Sequence, residues 1–581
     1  MIPTSPPASP AADRVQQSPR AAMSPLVPVL APIAVAAIAL GLVFPRLFPS
    51  APRGTVAPLG RFTDVTREAG LAAPREEVPP DLQETPTTLP GAAAFLDYDN
   101  DGHPDLFLVG RPAWPWERPG AGTACTLYHN DGRGHFTDVS RAAGVDLRLA
   151  GMGVAVGDYD GDGYPDIFIA GVGGSRLLHN RGDGTFADVT AAAGVGGDDH
   201  VWSSAAVWID LYGDGKLDLV VCNYARWSRE TTLEQAFSAQ VSGPSYTSHS
   251  GFVSAFPTVY RNLGGGRFAD VTARTGLDVI DRQTGFPRAG PLAVAAVDAN
   301  GDGRLDLLFT YQSGPDVLFL NQGDGTFRQW TGGSPDRREG AFAGLVAGGA
   351  LALPRQGQAA GRFGILRAAG LAMSPAPEAD DAACHLGDKL GVVLLDYDLD
   401  GRIDVLSGEG LAEPALASFE HGREFAAAPR LLWNTGEGWV SAAGAPGRPP
   451  VAGPLVARGL AAADVFGNGR LAVLITQNGG PPHLLRNDAD LHNSWLRVSL
   501  VGTHCQRDAG GARVEVHTPT GVLVQTMEPA MGFMAQSETT LTFGLGADDR
   551  VRKVLVRWPS GLRQEVRVTG VDRTVIITEP E

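Results

Sequence analysis

Along most of the chain, small and apolar residues run for several positions, break into an acidic loop, and resume as a short β-type run. GMGVAVG leads into DYDGDGYPD from Asp158 and on into DIFIAG; PLAVAAV leads into DANGDGRLD from Asp298 and on into DLLFTY. Runs of this length bounded by turn residues predict buried strands. The loop returns at Asp97 (DYDNDGHPD), Asp210 (DLYGDGKLD) and Asp396 (DYDLDGRID), and in a worn form at Asp464 (DVFGNGRLA). A second motif trails each copy, as in LYHNDGRGHFTDV and LLHNRGDGTFADV, and places an Asn at 130, 180, 262, 321, 434 and 487. The unit is strand, Asp loop, strand, connection, strand, Gly-rich turn, strand. Recurring at roughly 50-residue intervals, it predicts the four-stranded blade of a β-propeller.

The stretch after Trp330 is too long for a plain loop in a compact domain. Its GRFGILRAAGLA matches the strand-four ending GRFADVTARTGL at 266–277, so residues 339–372 read as a degenerate blade without an Asp loop. The last blade lacks a Gly-x-Phe strand after LLRND, and a spare copy, RFTDVTREAGL, stands at 61–71. The expected fold is therefore all-β: a seven-bladed propeller over 61–487 closed by an N-terminal strand, which removes exposed sheet edges. A small antiparallel β-domain over 488–581 follows.

Composition narrows the class. The chain has 581 residues with 75 Gly and 43 Pro, in keeping with many short strands and more than one domain. A formal charge of −17 argues against a nucleic-acid partner. Residues 1–24 form an N-terminal tail carrying Arg14 and Arg20, and an uncharged apolar run over 25–45 follows. That run reads as a transmembrane anchor or a signal segment, with the bulk of the chain extracytoplasmic, and 46–60 as a Pro-rich linker. Cys125, Cys222, Cys384 and Cys505 form no CxxC pair, so a zinc-finger type of site is not expected, and sequence cannot pair them as disulfides.

Why the carboxylates crowd together is the chemical question. Each loop offers side-chain oxygens at positions 1, 3, 5 and 9, and Gly at position 6 allows a sharp turn. Many oxygen donors in one flexible loop suit Ca²⁺ better than Mg²⁺. Ordinary Asp-Gly turns do not ask for acid at all four positions. Three copies are complete: Asp97, Asp99, Asp101 and Asp105; Asp158, Asp160, Asp162 and Asp166; and Asp396, Asp398, Asp400 and Asp404. The copy of Asp298, Asn300, Asp302 and Asp306 has one neutral ligand and is expected to bind more weakly. Tyr212 interrupts the copy of Asp210, Asp214 and Asp218, where poor binding is expected. Phe466 and Ala472 leave the last loop with Asp464 and Asn468, which should hold no ion.

These loops resemble the FG-GAP or VCBS repeats of integrin α-chain propellers, over about 61–487. The resemblance implies several structural calcium ions and no catalytic residues. The tail of the chain closely resembles the ASPIC/UnbV domain that follows such repeats in cartilage acidic proteins and their bacterial relatives. That resemblance is carried by Asn493, Trp495, Leu496, Arg507, Gly511, Ala512, Gln536, Ser537, the FGLG of Phe543–Gly546 and the WPSG of Trp558–Gly561. It implies an extracellular, bacterial context. Gln506 stands where the family usually has Asn.

A four-stranded meander puts the Asp loops and Gly-rich turns at one end of each blade and the second-to-third-strand connections at the other. Two such connections are long and hold Trp114, Trp116, Tyr224, Trp227, Tyr246 and Phe252, residue types favoured at recognition surfaces. They form the expected ligand face of a binding or adhesion module for a protein or glycan, with packing into the ring as the alternative. The rival function is a cell-surface hydrolase of polysaccharides or esters using acidic residues on that face. No nucleophile elbow, phosphate loop or HExxH supports it.

Overall fold

The computed structural model describes residues 61–71, 91–110, 122–228, 253–278, 290–311, 317–330, 345–347, 350–354, 363–367, 391–408, 426–436, 439–442, 451–477, 480–489, 492–528 and 534–581. Within them the chain is all-β, and helix is confined to the single turns Ser140–Ala143, Thr190–Ala193 and Thr272–Thr275. The expected anchor or signal segment at 25–45 lies outside the described residues. Among those described, no helix is long and apolar enough to cross a membrane.

The repeats fold as their pattern dictates. Around Asp158, the strands Gly151–Gly157, Asp166–Gly171, Arg176–Asn180 and Phe186–Asp188 pair antiparallel in that order. The sheets of Asp97, Asp210, Asp298 and Asp396 repeat the arrangement, the Asp210 sheet with an extra strand, Val253–Ser254. First strands are deeply enclosed: Gly151–Gly157, Val201–Ile209, Pro291–Val297 and Ala457–Ala463 are buried at every position. Close approach between sheets explains their small residues, since a Cβ on Gly153 would come within 2.5 Å of the Ser204 carbonyl oxygen.

These first strands touch in one cyclic order. It runs through the sheets of Asp97, Asp158, Asp210, Asp298, residues 345–367, Asp396 and Asp464, and back to Asp97. The stretch read as a degenerate blade is a three-stranded sheet of Leu345–Ala347, Ala350–Pro354 and Phe363–Arg367, whose side chains lie outside the described residues.

Closure by the N-terminal strand is physically specific. Phe62–Asp64 pairs antiparallel with His483–Asn487, Phe62 opposite Asn487. In the sheets around Asp97, Asp158 and Asp210, a hydroxyl two residues past the strand-four Asp serves both strands. Ser140 accepts the Leu127 N–H and donates to Asp138, Thr190 does so for Leu177 and Asp188, and Thr272 for Val259 and Asp270. Thr66 repeats this, accepting the Leu484 N–H and donating to Asp64. The Asp488 N–H donates to the Arg61 carbonyl, so the first strand begins where the chain leaves the ring.

The Asn of each third strand ties the blade together. Its N–H donates to the ninth-position Asp of its own loop, as from Asn130 to Asp105 and Asn180 to Asp166. In several sheets its side-chain amide also reaches the sheet before it: Asn180 donates to the Tyr98 carbonyl, Asn262 to Tyr159 and Asn487 to Tyr397, whereas Asn321 and Asn434 donate to Leu305 and Ile403 of their own loops. Asn130 donates to the Val465 carbonyl and so joins the first Asp-loop sheet to the last.

The C-terminal part forms two sheets. Ser494–Val501 lies between Leu541–Gly546 and Arg573–Thr578, and the other sheet runs Val522–Thr526, Arg513–His517, Lys553–Arg557, Arg563–Val566. Leu496, Val498, Val514, Val516, Phe543 and Trp558 fill the space between them.

Candidate metal centres and the face they occupy

Each loop is shaped by its own acids. The first-position carboxylate accepts the N–H groups of positions 5 and 6, as Asp97 does from Asp101 and Gly102 and Asp158 from Asp162 and Gly163. The ninth-position carboxylate accepts the position-2 N–H, as Asp166 does from Tyr159. Turn geometry therefore explains positions 1 and 9 in part. It does not explain position 3: Asp99 Oδ1 and Asp398 Oδ1 are buried without a hydrogen-bond partner.

Three loops gather ligand atoms closely enough to share an ion. Asp97, Asp99 and Asp105 do so, as do Asp158, Asp160 and Asp166, and Asp396, Asp398 and Asp404; within each group the atoms lie within 4.8 Å of one another. The two unpartnered oxygens fit a cation there. Burial first, and neighbouring carboxylates second, push Asp97 and Asp158 up to about 6 and Asp105 to about 8. Asp396 and Asp404 are pushed well above the usual carboxylate range for the same reasons. A divalent ion reverses that logic by favouring the charged form.

Protein cations stand beside the other loops, as Arg402 does beside Asp400 in the Asp396 loop. Arg261 and Lys216 lie 3.6 Å and 3.4 Å from Asp214, and the Arg261 guanidinium sits 3.9 Å from the centre of the Tyr212 ring. Arg304 pairs with Asp302 in the Asp298 loop, and Asn300 donates to that same carboxylate. In the worn loop Arg497, from the C-terminal domain, lies 3.4 Å from Asp464 and pairs with Glu538. A guanidinium thus stands among the acids of the copy that lost its ligands, a role for Arg497 that its position in the sequence does not suggest.

The C-terminal domain covers the loop end of the ring, and the residues that mark its family make the contacts. Asn493 donates to the Asp398 carbonyl, and the Gly546 N–H to that of Leu399. A Cβ on Gly544 would collide with the Asp396 carboxylate, so the FGLG strand needs its central glycine. Arg507 lies 3.8 Å from Asp158, and the neighbouring Asp508 accepts the Asp158 N–H. Gln536 both accepts from and donates to the Val156 backbone, Ser537 accepts the Ala462 N–H, and Ala535–Gln536 pairs parallel with Ala93–Ala94. Gln506 keeps its amide inside the domain, donating to the Gly510 carbonyl.

The opposite end corrects one expectation. Tyr224 and Trp227 are buried, 6% and 4% exposed, and pack with Trp202 and Leu292, so the structure gives these two the packing role. Tyr224 lies in the strand Asp218–Arg226, which is buried up to Ala225, and Trp227 follows it directly. Trp114, Trp116, Tyr246 and Phe252 lie outside the described residues. At this end a cleft of about 1370 Å³ opens between the sheets of Asp158 and Asp210, lined by Arg176, Asp188, Asp198, Asn223, Arg226 and Ser254 among others. Cys125, Cys222 and Cys505 are buried, and the Cys505 thiol is raised by burial and by Glu579.

Residues 502–581 match the family ASPIC and UnbV, and 97–169, 158–221 and 298–348 match an FG-GAP-like repeat. The first of these matches begins after Ser494–Val501, a strand that already belongs to the C-terminal sheets. Cartilage acidic protein 1 of Mus musculus is 29% identical over 552 residues, spanning 83% of this chain and 72% of that protein. Its Xenopus tropicalis counterpart is 22% identical over 548 residues with the same shares. Among solved structures, the rhamnogalacturonan lyase YesW aligns at 13% identity and a TM-score of 0.34, covering 69% of this chain and 72% of its own. An Agrocybe aegerita lectin that recognises non-reducing terminal N-acetylglucosamine aligns at 16% identity and a TM-score of 0.29, covering 69% and 81%.

Proposed function

We propose that this chain, with its FG-GAP-like repeats and ASPIC/UnbV domain, is an extracytoplasmic binding module. Calcium ions in its Asp loops are structural, and a protein or glycan ligand is taken at the opposite end of the ring. The gathering of acids into three tight groups, two of them around an unpartnered carboxylate oxygen, carries the calcium part of this reading. The C-terminal domain lies over the loop end, which leaves the cleft end for a partner. Among the described residues, every carboxylate raised above its usual range lies in the Asp loops or in the C-terminal domain that covers them. That supports binding over hydrolysis at the cleft. The cartilage acidic protein relatives and the FG-GAP-like repeats support an extracellular setting, and residues 25–45 would anchor or export the chain.

The test is a glycan array and a purified-protein binding screen with the full chain in millimolar calcium, followed by Arg176→Glu and Arg226→Glu in the cleft. Loss of binding with an unchanged melting temperature supports the assigned face. Binding that survives both substitutions refutes it.

A further inference from the structure

The C-terminal domain carries a charge pattern that its fold does not need. In the sheet Val522–Thr526, Arg513–His517, Lys553–Arg557, Arg563–Val566, alternate residues turn to opposite faces: Val514, Val516, Val554 and Val556 are buried, whereas Arg513, Arg557 and Arg563 are exposed. Strand register sets these three arginines side by side, Arg513 opposite Arg557 and Arg557 opposite Arg563. Like charges directly opposite one another weaken a sheet. The row has little to offset them. Glu515 lies 3.4 Å from Arg513 and 3.7 Å from Arg557, and among the described residues Arg563 makes no ion pair. Three guanidiniums thus share one carboxylate, on a chain whose formal charge is −17.

The neighbouring row narrows the partner. It holds Glu515, Leu555 and Glu565 in register, and Glu565 is held by Lys553 at 2.9 Å. A broad anionic surface laid on this face would meet both glutamates, only about 6.8 Å from the arginines. A single extended chain lying along the arginine row avoids them. Cations in that row recur at the strand spacing, about 4.7–4.9 Å, whereas an extended peptide presents the side chains of one face about 6.8 Å apart. The four strands carry no Phe, Tyr or Trp on which nucleic-acid bases could stack.

We propose that Arg513, Arg557 and Arg563 form a binding row for a linear acidic polysaccharide, whose carboxylate or sulfate groups take the guanidiniums in paired hydrogen bonds. This surface is separate from the cleft at the other end of the ring and does not depend on what binds there.

The test measures binding of the full chain to immobilised heparin, which is sulfated, and to polygalacturonate, which is carboxylated, over a range of salt. At least one should bind, and more weakly as salt screens the exposed charges. The Arg513→Gln/Arg557→Gln/Arg563→Gln variant should bind about tenfold or more weakly, the scale of one lost hydrogen bond to a charged group. Its melting temperature without ligand should be unchanged or higher, because the repulsion is gone. Arg563→Gln alone, which breaks no ion pair, should weaken binding in the same direction and decides the matter if the triple variant melts lower. Arg573→Gln, exposed on the other C-terminal sheet, and the cleft substitutions Arg176→Glu and Arg226→Glu should bind as wild type does. Failure to bind either polysaccharide at low salt, or equal binding by wild type and the arginine variants, overturns the proposal and leaves the cleft reading standing. Tighter binding to polyglutamate, single-stranded DNA or phosphatidylglycerol vesicles than to both polysaccharides overturns the choice of partner.

Discussion

Calcium should stabilise the ring, and the structure sets the size of the effect. Three loops gather carboxylates closely enough to share an ion, with Arg402 paired to Asp400 beside one and Arg507 3.8 Å from Asp158 beside another. Sites of extracellular type bind with a Kd of roughly 0.1–1 mM, so about 5 mM free calcium stabilises each by RT ln(1 + [L]/Kd), about 1–2.3 kcal/mol. Three independent sites give about 3–7 kcal/mol. Unfolding about 430 residues of propeller releases roughly 0.9 kcal/mol/K of entropy, so the melting temperature should rise by about 3–8 °C. The assay is a thermal melt of the full chain in chelator, in calcium and in equal magnesium. Asp160→Ala should remove about a third of the calcium increment, and magnesium should produce little of it. A melt indifferent to both calcium and chelator refutes the reasoning, and a magnesium response as large as calcium's refutes the oxygen-rich geometry behind it.

Three further outcomes are expected. In chelator, the carboxylates that burial raises to about 6 at Asp97 and about 8 at Asp105 favour folding most while protonated. Stability should therefore be greatest below about pH 4 as far as these groups decide it, and fall as pH rises through about 6–8, while calcium affinity climbs over that interval; melts at several pH values with and without calcium check both signs. Asp464→Ala should leave bound-calcium stoichiometry unchanged yet cost about 1–3 kcal/mol in denaturant unfolding, because it strips one of two carboxylates from the buried Arg497, which keeps Glu538; a lost calcium equivalent would contradict the guanidinium assignment. Deleting 1–58 should leave the melt intact, whereas deleting 1–72 removes the strand paired with His483–Asn487 and should bring aggregation; identical melts of the two truncations would contradict closure.

The parts of this structure legible in the sequence are those that repeat. Asp loops recur with fixed spacing, so their strands could be read off by register, and the stray FTDVT at Phe62–Thr66 could be matched to a blade that lacked it. The same hydroxyl and carboxylate that identify the motif make its bonds, Thr66 to Leu484 and Asp64. Contacts between blades and between domains left no such trace. The Asn of the third strand stood out as a marker, but the carbonyl it reaches belongs to another sheet, as with Asn130 and Val465. Arg497 and Asp464 lie in different domains, and nothing local to either announces the pair. Tyr224 and Trp227 were open to two readings because aromatics favour both recognition surfaces and cores. Here DLVVCNYAR continues as one strand, which takes Tyr224 inward.

The C-terminal domain's signature becomes intelligible once its contacts are known. Trp495 lies where a Cβ on Gly469 would collide with it, Arg507 lies 3.3 Å from where one on Gly163 would stand, and Gly544 lies against Asp396. Those three residues therefore meet the loops of three different sheets, while Gln536 joins the first strand of one of them. The signature residues thus lie on an internal docking surface, and Asp464 of the worn loop is used there for contact with Arg497 and Glu538. Its carboxylate holds the Asn468 and Gly469 N–H groups on one side and Arg497 on the other. Guanidinium groups stand beside the loop carboxylates: Arg497 at Asp464, Arg304 at Asp302, Arg402 at Asp400 and Arg507 at Asp158. Each neutralises carboxylates that a domain without charge partners could not cover.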